Sequence, residues 1–398
     1  MLRGLMHADH DPKSIKIKDN DKDYSGLRFL FFGTSRTVGV GTKFPEKMAY
    51  PYLLDKNATN LAIRGGDSRY PKECAASMLE ETKDQAFDVI ALEFPAPHFR
   101  LSLKLAERLR QRYPKSVIIF LDMWLLRYYT HTPSGLSIFP WSEQQGVDMH
   151  SSLASQQYLG AMNSFTQHED WEFDPKFFLS PDSQKQIEMK VNGILLMPAR
   201  PANAHKAIEE HSTLFAGDMI HWAQSGHEFT ADRILKKLQE INFRTKHDST
   251  VQPWGAIDSC VSWFKTGITS LTHHPLLVMN EFKPGKFALE ARSESTWIKV
   301  FNDNKETAEL SLEYMNTSPD CLYPTAQITI VSGGTSKDQY VLAECRKLHY
   351  RINVHVTEQI HVGKVEPGES VFRISVLGKG PWPFRILGVA LMPSSNLY

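Results

Sequence analysis

The sequence predicts an α/β layered domain followed by an antiparallel β-sandwich of jelly-roll type, and three observations predict it. Between residues 27 and 124 short β-type runs alternate with segments of helical period. Those runs are apolar on both faces, as strands of a parallel sheet covered by helices on both sides must be. Beyond about residue 246 the period shortens to two, helical segments stop, and turn signals such as Ser332-Gly333-Gly334 and Pro367-Gly368 separate the runs.

Residues 1–26 are charged, patternless and short of large apolar side chains, so they read as a mobile tail. The first domain, 27–245, then has strands at 27–33, 59–65, 88–94, 116–124 and 191–197. Helical segments fall at 43–57, broken by Pro51, and at 72–84, 100–113, 203–211 and 229–241. Residues 125–189 have no clean period and read as an insertion, either a wall over a site or a variable loop. Residues 246–398 hold a linker and six or more short strands, among them "STWIKVFND", "AELSLEYM", "AQITIV", "RINVHVTEQIHV", "SVFRISVLG" and "FRILGVALM". That repetition without helices implies a sandwich or jelly-roll.

Composition excludes several function classes. Lysine plus arginine and aspartate plus glutamate both total 45, so no global field draws nucleic acid, acidic polymers or membrane surfaces. No run reaches the roughly 18 to 20 apolar residues of a membrane span, and the polar start lacks the apolar core of a signal peptide. Four cysteines form no CxxC metal pair and are too few for a disulfide framework; Cys321 and Cys345, both in the strand-rich part, are a candidate pair. The sequons at Asn57 and Asn316 are within the number expected by chance.

The run "FLFFGTSRTVGVG" at 29–41 ends a strand in a glycine-rich turn. Such a turn can cradle phosphate, seat a nucleophile or merely reverse the chain. The dinucleotide fingerprint fails because Phe44 stands where its third glycine belongs, and the P-loop spacing fails at Val38. Ser35 lies two residues past the strand end, where the turn lifts a hydroxyl above the carboxyl edge of a sheet. It needs a base from elsewhere. "GDMIHWAQSGHEF" at 217–229 offers one, with Asp218 three residues before His221. Asp218 can fix the tautomer of His221 while the other ring nitrogen takes a proton from Ser35. A helix-capping Asp218 beside a surface His221 is the alternative reading.

Taken together, "GTS" after the first strand, "NLAIRGG" at the second and the D-x-x-H-x4-G-H string near the domain's end resemble the SGNH, or GDSL, hydrolase superfamily. The resemblance covers residues 27–245. It implies a three-layer α/β/α, flavodoxin-like fold and a serine esterase that needs no metal or organic cofactor. In it Ser35 is the nucleophile, His221 the base and Asp218 its orienting acid. Gly65 and Ser35 would give backbone N–H donors to the oxyanion hole, and losing one such donor costs about 2.7 to 4 kcal/mol of barrier. His227 matches a glycine–histidine pair that shapes the turn into the last helix. The sequence departs from the family at two points: Thr34 replaces the usual aspartate before the serine, and Pro97 falls where an asparagine donor belongs. Proline has no N–H and no side-chain donor. His98 beside it is a candidate replacement, with a plain loop histidine as the alternative.

The partner implied is an ester, of a small molecule or of a glycan, since family members often deacylate glycans. A catalytically impaired binding module for glycan or protein is the alternative that the departures at Thr34 and Pro97 support. The order of domains, with "PWGAIDSC" between them, is similar to that of eukaryotic secreted SGNH-like proteins and implies the secretory pathway. Trp222, next to His221, is a candidate substrate wall. Trp254, Trp263, Trp297 and Trp382 read as packing residues, with a sugar platform as the alternative. His150 near Asp148, His168 near Asp170 and the "HADHD" run at 7–11 lack a third ligand held nearby, so no metal site is expected.

Overall fold

The computed structural model describes residues 26–63, 66, 68–123, 178–197, 214–216, 221–243, 251–254, 259–262, 271–283, 286–292, 295–318, 321–336, 340–344, 354–378 and 380–393. Five parallel strands form the first sheet: β1 (Phe29–Gly33), β2 (Thr59–Asn60), β3 (Val89–Glu93), β4 (Val117–Leu121) and β5 (Ile194–Leu196). Their order is β2-β1-β3-β4-β5. β1 pairs with β3 from Phe29↔Val89 to Gly33↔Glu93, which brings the carboxyl ends of the two strands side by side.

The period of two in these strands divides the core. Leu30, Phe32, Ile90, Leu92, Ile118 and Phe120 pack on one face against α4 (Arg69–Met78), α5 (Phe99–Arg112) and α6 (Pro181–Val191). Phe29, Phe31, Val89, Ala91, Ile119 and Leu121 pack on the other against α3 (Tyr50–Leu54) and α7 (Gln224–Glu240). At about 1.5–3 kcal/mol for each large side chain buried, both faces must be covered. Three layers result, with the strand order of a flavodoxin-like fold.

Two helical readings need correction. The stretch 43–57 is broken at Ala49, whose backbone is extended (φ −69°, ψ 145°), giving α2 (Pro45–Met48) and α3. Pro51 lies in the first turn of α3, where its missing N–H costs no bond. Helix α6 lies mostly within the stretch read as lacking a period. Only Ser183, Ile187 and Val191 are buried along it, so caps rather than an apolar stripe mark it: Ser180 Oγ accepts from the Ser183 N–H at 3.2 Å, and Asn192 ends it at φ 45°.

The C-terminal part is two antiparallel sheets. The larger joins β13 (Val354–Val365), β10 (Ala308–Ser318), β15 (Phe384–Pro393), β8 (Lys286–Ala291) and β7 (Leu277–Lys283), with β6 (Ser259–Ser262) also on β15. The smaller runs β12 (Tyr340–Ala343), β11 (Thr325–Ser332), β14 (Gly368–Leu377), β9 (Thr296–Asn302). Leu310, Leu312, Ile328, Phe372 and Ile386 are among the side chains between them. The six strands read from period are β9, β10, β11, β13, β14 and β15. β6 and β12 are only four residues long and β7 is an edge, with Val278 exposed, so their alternation is weak.

The sandwich does not hang from a linker. Ala288, Met315, Leu387 and Ala390, on the larger sheet's outer face, join the same apolar cluster as Tyr70 and Cys74 of α4. A disulfide between Cys74 and Cys260 fastens α4 to β6, and Gln359 of β13 donates to the Glu73 carboxylate. The cysteine reading missed this bridge, because its ends lie 186 residues apart in different domains. Cys321 is disulfide-bonded as well, while Cys345 lies outside the described residues. Trp254 and Trp382 pack against the shared cluster, and Trp297 meets His274 edge-on at 5.7 Å; Trp263 lies outside the described residues. Among the described residues no helix is long and apolar enough to cross a membrane.

Candidate active site

Ser35 opens α1 (Ser35–Val38), a single helical turn directly beyond β1. This is the carboxyl edge of the sheet at the point where the strand order reverses between β1 and β3, where open α/β folds place their ligands. The Gly39 N–H closes the turn on the Ser35 and Arg36 carbonyls with φ at +91°. Gly41 follows at φ +105°, and a Cβ there would stand 2.5 Å from the Trp222 carbonyl oxygen and 3.0 Å from His221 Cβ. The glycines of "TVGVG" thus serve chain reversal and close approach to the histidine segment.

That segment is held as a narrow two-stranded return. The Ala216 N–H donates to the His221 carbonyl at 2.8 Å and the Ala223 N–H to the Leu214 carbonyl at 2.9 Å. Phe215 bridges Trp222. Successive side chains of an extended segment point to opposite sides. Trp222 therefore enters the core, fully buried against Phe215 and Phe229, and His221 faces the nucleophile turn. His221 Nε2 lies 2.8 Å from Ser35 Oγ across 186 residues of sequence. The expectation that Trp222 forms a substrate wall is corrected by its burial: its surface is spent on the core, where it anchors the loop that carries His221.

His227 is buried on α7, stacked on Tyr50, and its Nδ1 accepts from the Tyr50 N–H at 3.3 Å. Burial first, and then the neighbouring His221, lower its pKa to about 3. It is a neutral packing residue. Asp218 and Gly65 lie outside the described residues, as do His150 and His168. Asn60 at the end of β2 donates to the Thr37 carbonyl at 3.0 Å and accepts from the Ala62 N–H at 3.1 Å, so the chain leaving β2 is tied to the nucleophile turn. Pro97 is exposed on a short turn after β3. His98, half-buried, enters α5, and its carbonyl accepts from Ser68 Oγ and Ser102 Oγ, both at 3.1 Å.

Beneath Ser35 lies a polar cluster that sequence reasoning did not find. Glu93, the last residue of β3, is wholly buried. Its Oε2 accepts from the Thr34 N–H (2.9 Å), Thr34 Oγ1 (2.8 Å) and Thr37 Oγ1 (3.0 Å), and its Oε1 pairs with Arg36 Nη2 at 2.5 Å. Arg36 also donates to the Met123 carbonyl beyond β4. Thr37 gives its one hydroxyl hydrogen to Glu93, so the Tyr50 hydroxyl, 2.7 Å away, must be the donor to Thr37. Burial and then the Glu93 charge raise the Tyr50 pKa well above its ordinary value, which keeps that hydrogen in place. The available signal was a charged residue ending the apolar run "VIALE" beside the turn that carries Ser35.

No protein-family model matches the chain, and no curated protein does. Among solved structures, the chain is similar along nearly its whole length to a two-domain esterase active on acetylated mannans, co-crystallised with mannopentaose: TM-score 0.51, 12% identity, 92% of this chain and 91% of that chain covered. At that identity the likeness is one of fold, and it extends to both parts of the molecule. A family 35 carbohydrate-binding module from Clostridium thermocellum aligns over 34% of this chain and 98% of its own, at 11% identity and TM-score 0.24.

Proposed function

We propose that the protein is a serine esterase that removes O-acyl groups from a carbohydrate through an acyl-Ser35 intermediate. The observation that carries this reading is the 2.8 Å contact between His221 Nε2 and Ser35 Oγ at the switch point of the sheet. The full-length likeness in fold to an esterase of acetylated mannans supports carbohydrate esters as the substrate class.

In the first half-reaction Nε2 of His221 takes the Ser35 hydroxyl proton as Oγ attacks the acyl carbon. This needs the ring hydrogen on Nδ1, and Asp218 is the acceptor proposed for it. Negative charge then develops on the carbonyl oxygen. The Ser35 N–H, which among the described residues has no acceptor, and the Gly65 N–H are the proposed donors. Collapse breaks the ester bond, the alcohol leaves with the proton held by His221, and the acyl group stays on Ser35. Water then attacks the acyl carbon as it loses a proton to His221, the acyl–Oγ bond breaks, and Ser35 Oγ takes that proton back as the acid leaves. The rate falls as His221 becomes protonated, because the base is then occupied.

Treatment with a fluorophosphonate probe tests this. Labelling that Ser35→Ala abolishes, with acetate released from acetylated mannan by the unsubstituted protein, is the expected result. Folded protein that neither labels nor cleaves aryl acetates would leave the binding-module reading, which the exposed Pro97 favours because it supplies no donor.

A further inference from the structure

We propose that Glu93 is a positioning residue for the nucleophile, a role that rests on the reading of Ser35 above. One buried carboxylate holds three of the four residues 34–37: Thr34 by its N–H and hydroxyl, Arg36 by its guanidinium, Thr37 by its hydroxyl. Ser35 alone is left to His221. The residues on both sides of the nucleophile are fixed to the end of β3, and Arg36 carries the connection on to the chain beyond β4.

Stability alone does not account for this arrangement. A buried ion pair is seldom more stabilising than apolar side chains of the same volume, because both charges lose water. Helix capping does not account for it either. Thr34 occupies the N-cap position of α1, where a hydroxyl normally accepts from an N–H of the first turn, yet it makes no such bond and gives its hydrogen to Glu93. A one-turn helix is thereby held from below rather than by its own cap. The same geometry gives Thr34 a reason to differ from the aspartate usual in the resembled family. An aspartate there would set a second carboxylate against Glu93, whose Oε2 is 2.8 Å from the Thr34 hydroxyl. Thr34→Asp, the substitution that restores the familial residue, is therefore expected to slow the enzyme, and adding Glu93→Gln is expected to recover part of the loss.

Glu93 touches no substrate, so its effect belongs in kcat. Glu93→Gln is expected to lower kcat on aryl acetates and the rate of fluorophosphonate labelling about 10- to 100-fold, with KM within about twofold, since small misplacements of a reacting atom cost that much. Rates are expressed per titrated Ser35, so a fraction of unfolded protein does not count. Wild-type kcat per titrated site overturns the proposal. Should Glu93→Gln not fold, Thr34→Val removes the hydroxyl bond while keeping the N–H bond and the Arg36 pair, and a roughly fivefold loss in kcat is expected; no loss there overturns the proposal. A second measurement does not depend on esterase activity. In Ser35→Cys, alkylation by iodoacetamide reports pairing of the sulfur with His221. Its rate is expected to fall at least fivefold when Glu93→Gln is added, and equal rates overturn the proposal even if the acyl-serine reading itself has failed.

Discussion

Two buried glutamates, one in each part of the molecule, face the same physical problem and solve it differently. Glu93 is fully buried and bonded to three neighbours within one turn of chain. Glu290 on β8, 2% exposed, is bonded to side chains from two neighbouring strands and the chain just beyond its own: Arg292 at 2.8 Å, Arg385 of β15 at 2.9 Å and Asn280 of β7 at 3.0 Å. Burial pushes the Glu290 carboxyl up, but those three bonds outweigh it and hold it below the ordinary carboxylate range. Arg385 also reaches the Tyr323 hydroxyl at 3.0 Å and lies over the rings of Phe282 and Tyr323 where the two parts meet. Neutralisation is redundant at Glu290, and at Glu93 it falls to Arg36 alone among the described residues. A redundant cluster holds strands together; a cluster with one cation and a run of short donors holds a turn in one shape.

The largest effect should come from removing the single cation. Arg36→Met leaves Glu93 buried without a counter-charge and is expected to cost about 3–5 kcal/mol in urea unfolding, with activity lost. A cost under about 1 kcal/mol would erase the contrast. Next is the covalent tie between the parts: Cys74→Ala with Cys260→Ala should cost about 2–4 kcal/mol. Because the apolar cluster shared by α4 and the larger sheet remains, one cooperative transition should persist; two separated transitions would show that the disulfide alone couples them. Arg385→Met should cost only about 1.5–3 kcal/mol, since Arg292 and Asn280 still serve Glu290, with kcat per folded molecule unchanged.

The last effect is absent at neutral pH and appears only as a pH dependence. His227 binds its proton at about 3 in the folded chain and near its ordinary value when unfolded. Its stabilising contribution is complete above about pH 6.5 and is lost as pH falls towards 3, by at most about 1.4 kcal/mol per pH unit. His227→Asn, which keeps an acceptor for the Tyr50 N–H, should flatten the stability curve between pH 6 and 4. Parallel curves would contradict a neutral, buried His227.

The continuous apolar runs "FLFFG", "VIALE" and "VIIFL" showed strands buried on both faces because side-chain direction along a strand is a local property. The apolar stripe of α5 and the period of the long sandwich strands were legible for the same reason. Helix α6 was not, since its stripe is thin and its caps carry the signal. The exposure of Trp222 was misjudged because proximity to His221 in sequence says nothing about which side of an extended segment a ring occupies.

By itself, then, the sequence determined the layered α/β order, the sandwich after it, and the failure of the glycine turn to match either phosphate template. These follow from periodicity and spacing, which short windows contain. Only the tertiary structure decided that Ser35 and His221 meet at 2.8 Å, that Glu93 gathers Thr34, Arg36 and Thr37, and that Cys74 joins Cys260. Those partners come from separate strands, helices and loops. Their meeting depends on the strand order of one sheet and the packing of another against α4, which no local window encodes.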